Sequence, residues 1–298
     1  MKLGVSIGAN AIGAGPGEIA AIARAADEAG YTRLVLADHV LGADPEGREG
    51  WTGYTHEDLW HEPLVTFGYL AAITTNLELM SGVVILPQRA TALVAKQAAE
   101  VDLLSGGRMV LGVGNGWNAV EFQALKRDFR TRGRQLDEQI ALLRALWSQP
   151  VVSFEGNFHR VTKAGINPRP AAGDIPIWIG GHSDAALDRT GRLGDGWYPL
   201  FDDPALLATG VARIHAAAEA AGRDASAIGV QGRVVARGPL SEIVERVEAW
   251  EAAGATHVMI GTNPEAADPD LHVAAIHGFA AAWRERHGDA AFAESGAG

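Results

Sequence analysis

Asp38 and His39 stand side by side at the end of the apolar run "RLVLADH" (33–39). Histidine is the side chain best placed to gain or lose a proton near neutral pH, so His39 at a strand end is a candidate acid–base group. A second group is "GVGNGW" (112–117), in which Gly112, Gly114 and Gly116 surround Asn115 and the run ends on Trp117. Glycine lets a backbone lie close to a ligand, Asn115 can hydrogen-bond to it, and Trp117 can line it. The run reads G-x-G-x-G rather than G-x-G-x-x-G, and no acid follows on a later strand at the expected distance, which rejects a dinucleotide fingerprint. A third group, "WIGGHSD" (178–184), leaves a strand through Gly180 and Gly181, passes His182 and reaches Ser183, which can cap the next helix. Exposed amides at a helix N-terminus, with the helix dipole behind them, attract phosphate.

Two further stretches carry polar chemistry. His56 and His61, with Glu57, Asp58 and Glu62, have a spacing that fits no compact metal site, so no metal is expected. The same stretch contains Trp51, Tyr54 and Trp60, and it reads as a lid over the substrate, a common task for a long loop. Trp197, at a later strand end, is grouped with these substrate-facing aromatics. "KRDFRTRGR" (126–134) is locally basic. It reads either as a solvated connector whose arginines anchor the next helix or as a receiver for an anionic ligand tail.

For these groups to meet, the chain must bring several strand ends together. Strand-like runs fall at 3–8, 33–39, 77–86, 108–114, 175–181, 195–199, 227–235 and 256–261. Helical runs fall between and after them, at 17–30, 63–75, 91–104, 133–147, 183–194, 203–222, 240–254 and 271–286. Alternation of this kind implies a parallel sheet with right-handed crossovers, and eight units close into an α/β TIM (β/α)8 barrel, an open doubly wound sheet being the rival. Insertions follow the second strand (40–62) and the fourth (114–132), and 148–174 holds a hairpin signal before the fifth, centred on Glu155–Gly156–Asn157. One domain is expected over 1–286, with a flexible tail over 287–298. In such barrels the active site lies at the carboxyl ends of the strands. That mouth collects Ala9–Asn10, Asp38–His39, Ser81–Gly82–Val83, Gly112–Trp117, Gly180–Ser183, Trp197–Tyr198 and Gly261–Thr262, a set suited to a large flat ligand.

Bulk properties narrow the partners. A net charge of −11 argues against nucleic acid or an anionic membrane. No cysteine is present, so neither disulfides nor thiol chemistry enter. "MKLGVSIGAN" is too weak for a signal peptide, and no apolar stretch approaches the roughly 20 residues of a membrane helix. A cytoplasmic enzyme acting on a small molecule is the expectation.

"VAKQAAEVDLLSGGRMVLGVGNGW" (94–117) closely resembles the signature of the bacterial luciferase-like monooxygenases, and in particular their branch that uses coenzyme F420, a deazaflavin. "LADH" (36–39), "SGVVILPQR" (81–89) and "PIWIGG" (176–181) carry the same resemblance, which spans about 1–262. The fourth-strand motif is less specific to the cofactor, since relatives binding FMN carry similar glycines. The resemblance implies a TIM barrel with the cofactor ring in its mouth and a cis peptide at Gly82–Val83 against that ring. It places Asp38 and His39 beside the ring, Gly112, Gly114 and Asn115 near the ring and its ribityl chain, and Gly180, Gly181, His182 and Ser183 at the phosphate. His39 takes the proton-donating or charge-stabilising role. Relatives often have a proline soon after the residue matching Arg89, whereas this chain reads "QRATAL" (88–93). Three activities follow: an F420-dependent hydride-transferring oxidoreductase, an FMN-dependent monooxygenase fed by a partner reductase, or a cofactor-binding barrel without activity. Relatives are often homodimers.

Overall fold

Period-two alternation decides which way each strand side chain points. In the computed structural model, residues 1–8, 13–262, 268–288 and 292 are described. The elements run β1 (Lys2–Ile7), α1 (Pro16–Glu28), β2 (Arg33–Leu36), α2 (Pro63–Ala71), β3 (Glu78–Ser81), β4 (Val84–Ile85), α3 (Thr91–Ser105) and β5 (Met109–Gly114). They continue with α4 (Ala119–Ala124), α5 (Arg132–Ser148), β6 (Val152–Glu155), β7 (Arg160–Ala164), β8 (Ile177–Gly180), α6 (Asp184–Leu193) and β9 (Gly196–Tyr198). The last are α7 (Leu207–Ala220), β10 (Gly229–Val235), α8 (Leu240–Ala252), β11 (His257–Gly261) and α9 (Pro269–His287).

The parallel strands pair in the order β3-β2-β1-β11-β10-β9-β8-β5, and β3 pairs with β5 in turn, so the sheet closes. This is the eight-stranded barrel, and the open sheet is excluded. Leu34, Leu79, Leu111, Ile177, Val230 and Val258 face outward into one large core shared with the helices. Their neighbours Val35, Met80, Val110, Trp178, Tyr198 and Met259 face inward and fill the barrel interior. The interior is therefore solid below the mouth, and a ligand has room only above it.

Three differences from the sequence reading have local causes. The third strand, expected unbroken over 77–86, pinches at a cis Gly82–Val83 peptide and leaves β4 as a two-residue piece paired to β5. A Cβ on Gly82 would run into Val35 Cγ1, so the pinch accepts only glycine there. Residues 203–222 divide into a 3-10 turn over Pro204–Leu206 and then α7, the turn being capped by the Asp203 side chain on Ala205 N at 2.9 Å. The insertion 114–132 contains an unanticipated helix, α4, capped by Asn118 on Val120 N at 3.0 Å.

The hairpin forms as expected, with β6 and β7 antiparallel. Its tip is held to α5 by Glu138, which accepts from Asn157 N at 2.6 Å and Phe158 N at 2.9 Å. Most of the tail over 287–298 lies outside the described residues; within it, His287 ends α9 and Phe292 is buried edge-on against Tyr31. Among the described residues no helix is long and apolar enough to cross a membrane.

Candidate active site at the barrel mouth

Beyond β2 the chain enters the lid under tight control. Asp38 is 3% exposed, and both its oxygens are engaged: Arg89 Nη2 donates to Oδ1 at 2.7 Å, and Arg89 Nε and Ile85 N donate to Oδ2 at 3.2 Å. Arg89 also pairs with Glu62 at 2.7 Å. Asp38 thus ties β2 to β4 and, through Arg89, to the far end of the lid. It sets the position of His39 and spends its own charge on Arg89.

His39 stands within an aromatic wall. Its ring centroid is 3.8 Å from that of Tyr54, 4.4 Å from Trp60 and 6.5 Å from Trp117. Trp51 Nε1 donates to Tyr54 O at 3.1 Å, and the Trp51 ring meets Trp117 at 5.7 Å. Gly53 lies so close to Trp117 that a Cβ there would enter the indole. Leu59, Trp60 and His61 settle on Ile7, Gly8, Leu36 and Ala37, leaving a cavity of only about 10 Å³ between them. The structure therefore brings Trp51, Tyr54, Trp60 and Trp117 together over His39.

Trp197 does not join them. Alternation along β9 turns it outward, where it is 1% exposed and Gly210 of α7 makes room for its ring. Its Nε1 donates to Gly181 O at 2.7 Å. The expected substrate contact is corrected to a brace for the turn after β8.

Glu121, on α4, is a residue that the sequence reading passes over. It is 1% exposed, and its Oε1 accepts from Val40 N at 2.8 Å and Leu41 N at 3.2 Å. Gln88 Nε2 donates to Oε2 at 3.0 Å. Burial opposes its ionisation, yet the His39 ring, Gln88 and the Leu41 and Val40 amides outweigh that and pull the carboxyl down to about 2. His39 Nδ1 lies 3.7 Å from Glu121 Oε1 and has no hydrogen-bond partner, although it is buried. Asn118, beside Glu121, donates to the Tyr54 hydroxyl at 2.9 Å. The signal available in the letters was an Asn cap followed by an acid beside Phe122, inside a stretch read as loop.

The floor is built by the pinched third strand. Ser81 Oγ donates to Gly112 O at 2.8 Å, and a Cβ on Gly112 would strike Ser81 O. A Cβ on Gly114 would come within 2.6 Å of Val83 Cγ2, and one on Gly180 within 3.0 Å of Val83 Cγ1. The room these glycines leave is taken by the chain's own Ser81–Val83 segment rather than left open. Val83, half-buried, caps the inner core cluster from above. Asn115, next in line, has a buried Oδ1 without a partner.

On the opposite rim, Gly181 adopts φ +113, a conformation that favours glycine, and its N donates to Tyr198 O at 3.1 Å. His182 and Ser183 are exposed, and Ser183 Oγ caps α6 on Ala186 N at 3.4 Å. Asp184 in the first turn pairs with Arg213 at 2.9 Å. The basic run is used for support: Arg127 Nε donates to Gln88 O at 3.3 Å and Arg132 Nε to Gly116 O at 3.2 Å. Ala9 and Asn10 lie outside the described residues.

Comparison with known proteins gives the following. The family described as luciferase-like monooxygenase matches residues 1–296. An uncharacterised protein of Mycobacterium tuberculosis is 32% identical over 260 residues, covering 84% of this chain and 86% of that protein. An FMNH2-dependent dimethylsulfone monooxygenase of Pseudomonas fluorescens is 36% identical over 141 residues, covering 46% of this chain and 38% of that one. An F420-dependent glucose-6-phosphate dehydrogenase of Nakamurella multipartita is 32% identical over 188 residues, covering 61% and 52%. Among solved structures, an F420-dependent secondary alcohol dehydrogenase in complex with an F420–acetone adduct superimposes with a TM-score of 0.77 at 16% identity, over 94% of this chain and 97% of that one. At that identity the likeness shows the fold.

Proposed function

The chain belongs to the luciferase-like monooxygenase family, and from that premise we propose that it is an F420-dependent oxidoreductase that moves a hydride between the deazaflavin and a small organic substrate. The observation that carries this reading is the meeting of His39, backed by the Glu121 carboxylate, and the raised Val83 floor at one mouth under an aromatic wall. The family includes relatives named for either F420 or FMN. The mouth fits a planar, phosphate-bearing group in three respects. Trp60 Nε1 and Asn115 Oδ1 are buried there without partners among the described residues, and His39 stands beside them with the Glu121 carboxylate 3.7 Å from its Nδ1. Val83, with Gly82, offers an apolar surface held up by Gly112, Gly114 and Gly180. Gly181 leads into α6, and His182 and Ser183 stand exposed at its N-terminal end, a place suited to phosphate.

When bound, the deazaflavin supplies a ring that accepts or gives hydride. The chain's own work is to orient, to exclude water and to handle the proton. A carbon that loses hydride while its hydroxyl becomes a carbonyl must also release a proton, and His39 is the group placed to take it. The lid residues Trp51, Tyr54 and Trp60, with Trp117, cover the site and shape the substrate space. Asp38, locked to Arg89, keeps the His39 backbone in place.

A second reading, FMN-dependent monooxygenation with reduced flavin from a partner reductase, is favoured by the 36% identity to the dimethylsulfone enzyme. Titration of the purified protein with F420 and, separately, with FMN, followed by tryptophan fluorescence, tests both. Trp117 is 52% exposed at the mouth and reports directly. Saturable quenching at micromolar F420 without FMN binding supports the first reading. The reverse supports the second, and no binding of either contradicts both.

A further inference from the structure

We propose that Glu121 is a positioning residue that fixes His39 as its Nδ1–H tautomer and so leaves the lone pair on Nε2. The proposal rests on the reading of His39 as the proton-handling group, and it names what sets that group's state.

Three observations meet at one carboxylate oxygen. Glu121 Oε1 lies 3.7 Å from His39 Nδ1, which is buried and has no other partner. Buried ring nitrogens in folded proteins are satisfied as a rule, so a small closure of this gap is the economical way to satisfy Nδ1. A carboxylate is an acceptor only, so the proton of that contact belongs to the ring. Neither Asp38 oxygen competes, since Arg89 and Ile85 occupy both.

The other groups around His39 do not offer Nδ1 an alternative acceptor. Tyr54 faces the His39 ring with its own ring; its hydroxyl receives the Asn118 amide and turns its own proton toward Glu121, so it shares the carboxylate with His39. Trp60 brings an indole, whose nitrogen only donates. Arg89 is committed to Asp38 and Glu62.

The same oxygen also accepts the amides of Val40 and Leu41, the first residues of the lid. Its position is therefore set by how the lid is rooted, and the state of His39 is coupled to lid placement through a single atom. An acceptor behind a histidine that fixes the tautomer and orients the ring is a common requirement where the distal nitrogen moves a proton.

The test uses 15N-histidine-labelled protein without any cofactor, so its outcome is separate from the F420 and FMN titrations. Long-range 1H–15N spectra at alkaline pH distinguish the two tautomers. Comparison with His39→Gln assigns the His39 signals among the ten histidines. In the wild type, Nδ1 is expected in the pyrrole-type range and Nε2 in the pyridine-type range. Glu121→Gln is expected to retain that order, because the Val40 and Leu41 amides hold its oxygen where Oε1 now lies. Glu121→Leu, which removes the acceptor, is expected to reverse it. A wild-type spectrum with the proton on Nε2 overturns the proposal even if the leucine variant fails to fold. An unchanged order in a folded Glu121→Leu variant also overturns it.

Discussion

The two ends of the barrel bury charge in opposite styles. At the bottom, Arg33 is 3% exposed, pairs with Glu78 at 2.6 Å and lies 4.4 Å over the Trp178 ring. His257 beside it has Nδ1 in contact with Thr256 Oγ1 at 2.8 Å and its ring edge-on to Trp178 at 4.9 Å. At the top, the Asp38–Arg89–Glu62 chain is equally tight, but His39 Nδ1, Trp60 Nε1 and Asn115 Oδ1 have no partner. Both ends use the same residue types. The bottom pairs its ions and its histidine inside the barrel wall, while the top pairs only the supports and leaves Trp60 Nε1 and Asn115 Oδ1 without partners among the described residues. In barrels of this class stability concentrates at the first end and chemistry at the second.

The largest expected effect tests the bottom. Glu78→Ala strands a buried guanidinium and should cost roughly 3–5 kcal/mol in denaturant unfolding, with cofactor affinity of the remaining folded protein unchanged. The counterpart at the top is His39→Ala. Turnover should fall by roughly 10²–10⁴, the range typical of acid–base groups, while cofactor binding persists and thermal stability barely moves. An equal loss of stability in both variants would erase the contrast between the ends.

His257→Asn should be milder, about 1–2 kcal/mol from the lost hydrogen bond and ring contact, with turnover intact. Sharpest in discrimination are two acid slopes. Burial, then Arg33, pull His257 from 6.5 down to about 2. Between those values the unfolded chain binds a proton that the folded chain does not, so stability falls as pH drops below about 6.5. Glu121, depressed from 4.5 to about 2, contributes stability that is present above 4.5 and lost as pH falls toward 2. Stability curves at pH 6, 5, 4 and 3 should therefore show His257→Asn flattening the whole range and Glu121→Gln flattening only the part below about 4.5. An effect of His257→Asn confined below 4.5 would contradict the assignment.

The letters carried the barrel because each strand–helix unit repeats one apolar alternation, and closure follows from having eight of them. They also placed His39, Asn115 and the lid aromatics at one end of the barrel, because these stand at strand ends or in a long loop. Trp197 misled because nearness to a strand end was read without its alternation: Trp197 faces out and Tyr198 faces in. The glycines of 112–117 were found for a partly different reason, since Gly112 and Gly114 seat Ser81 and Val83 and Gly116 makes room for Ile85. Glu121 was hidden because its function depends on lid amides about 80 positions away, a contact no local pattern records.

The account stands most directly on the content of the mouth. A crystal soaked with F420 is expected to show the deazaflavin ring over Val83 and beside His39, with its phosphate at Gly181–Ser183. Density for the cofactor elsewhere on the molecule, or a mouth still filled by Tyr54 and Val83 alone, would contradict it.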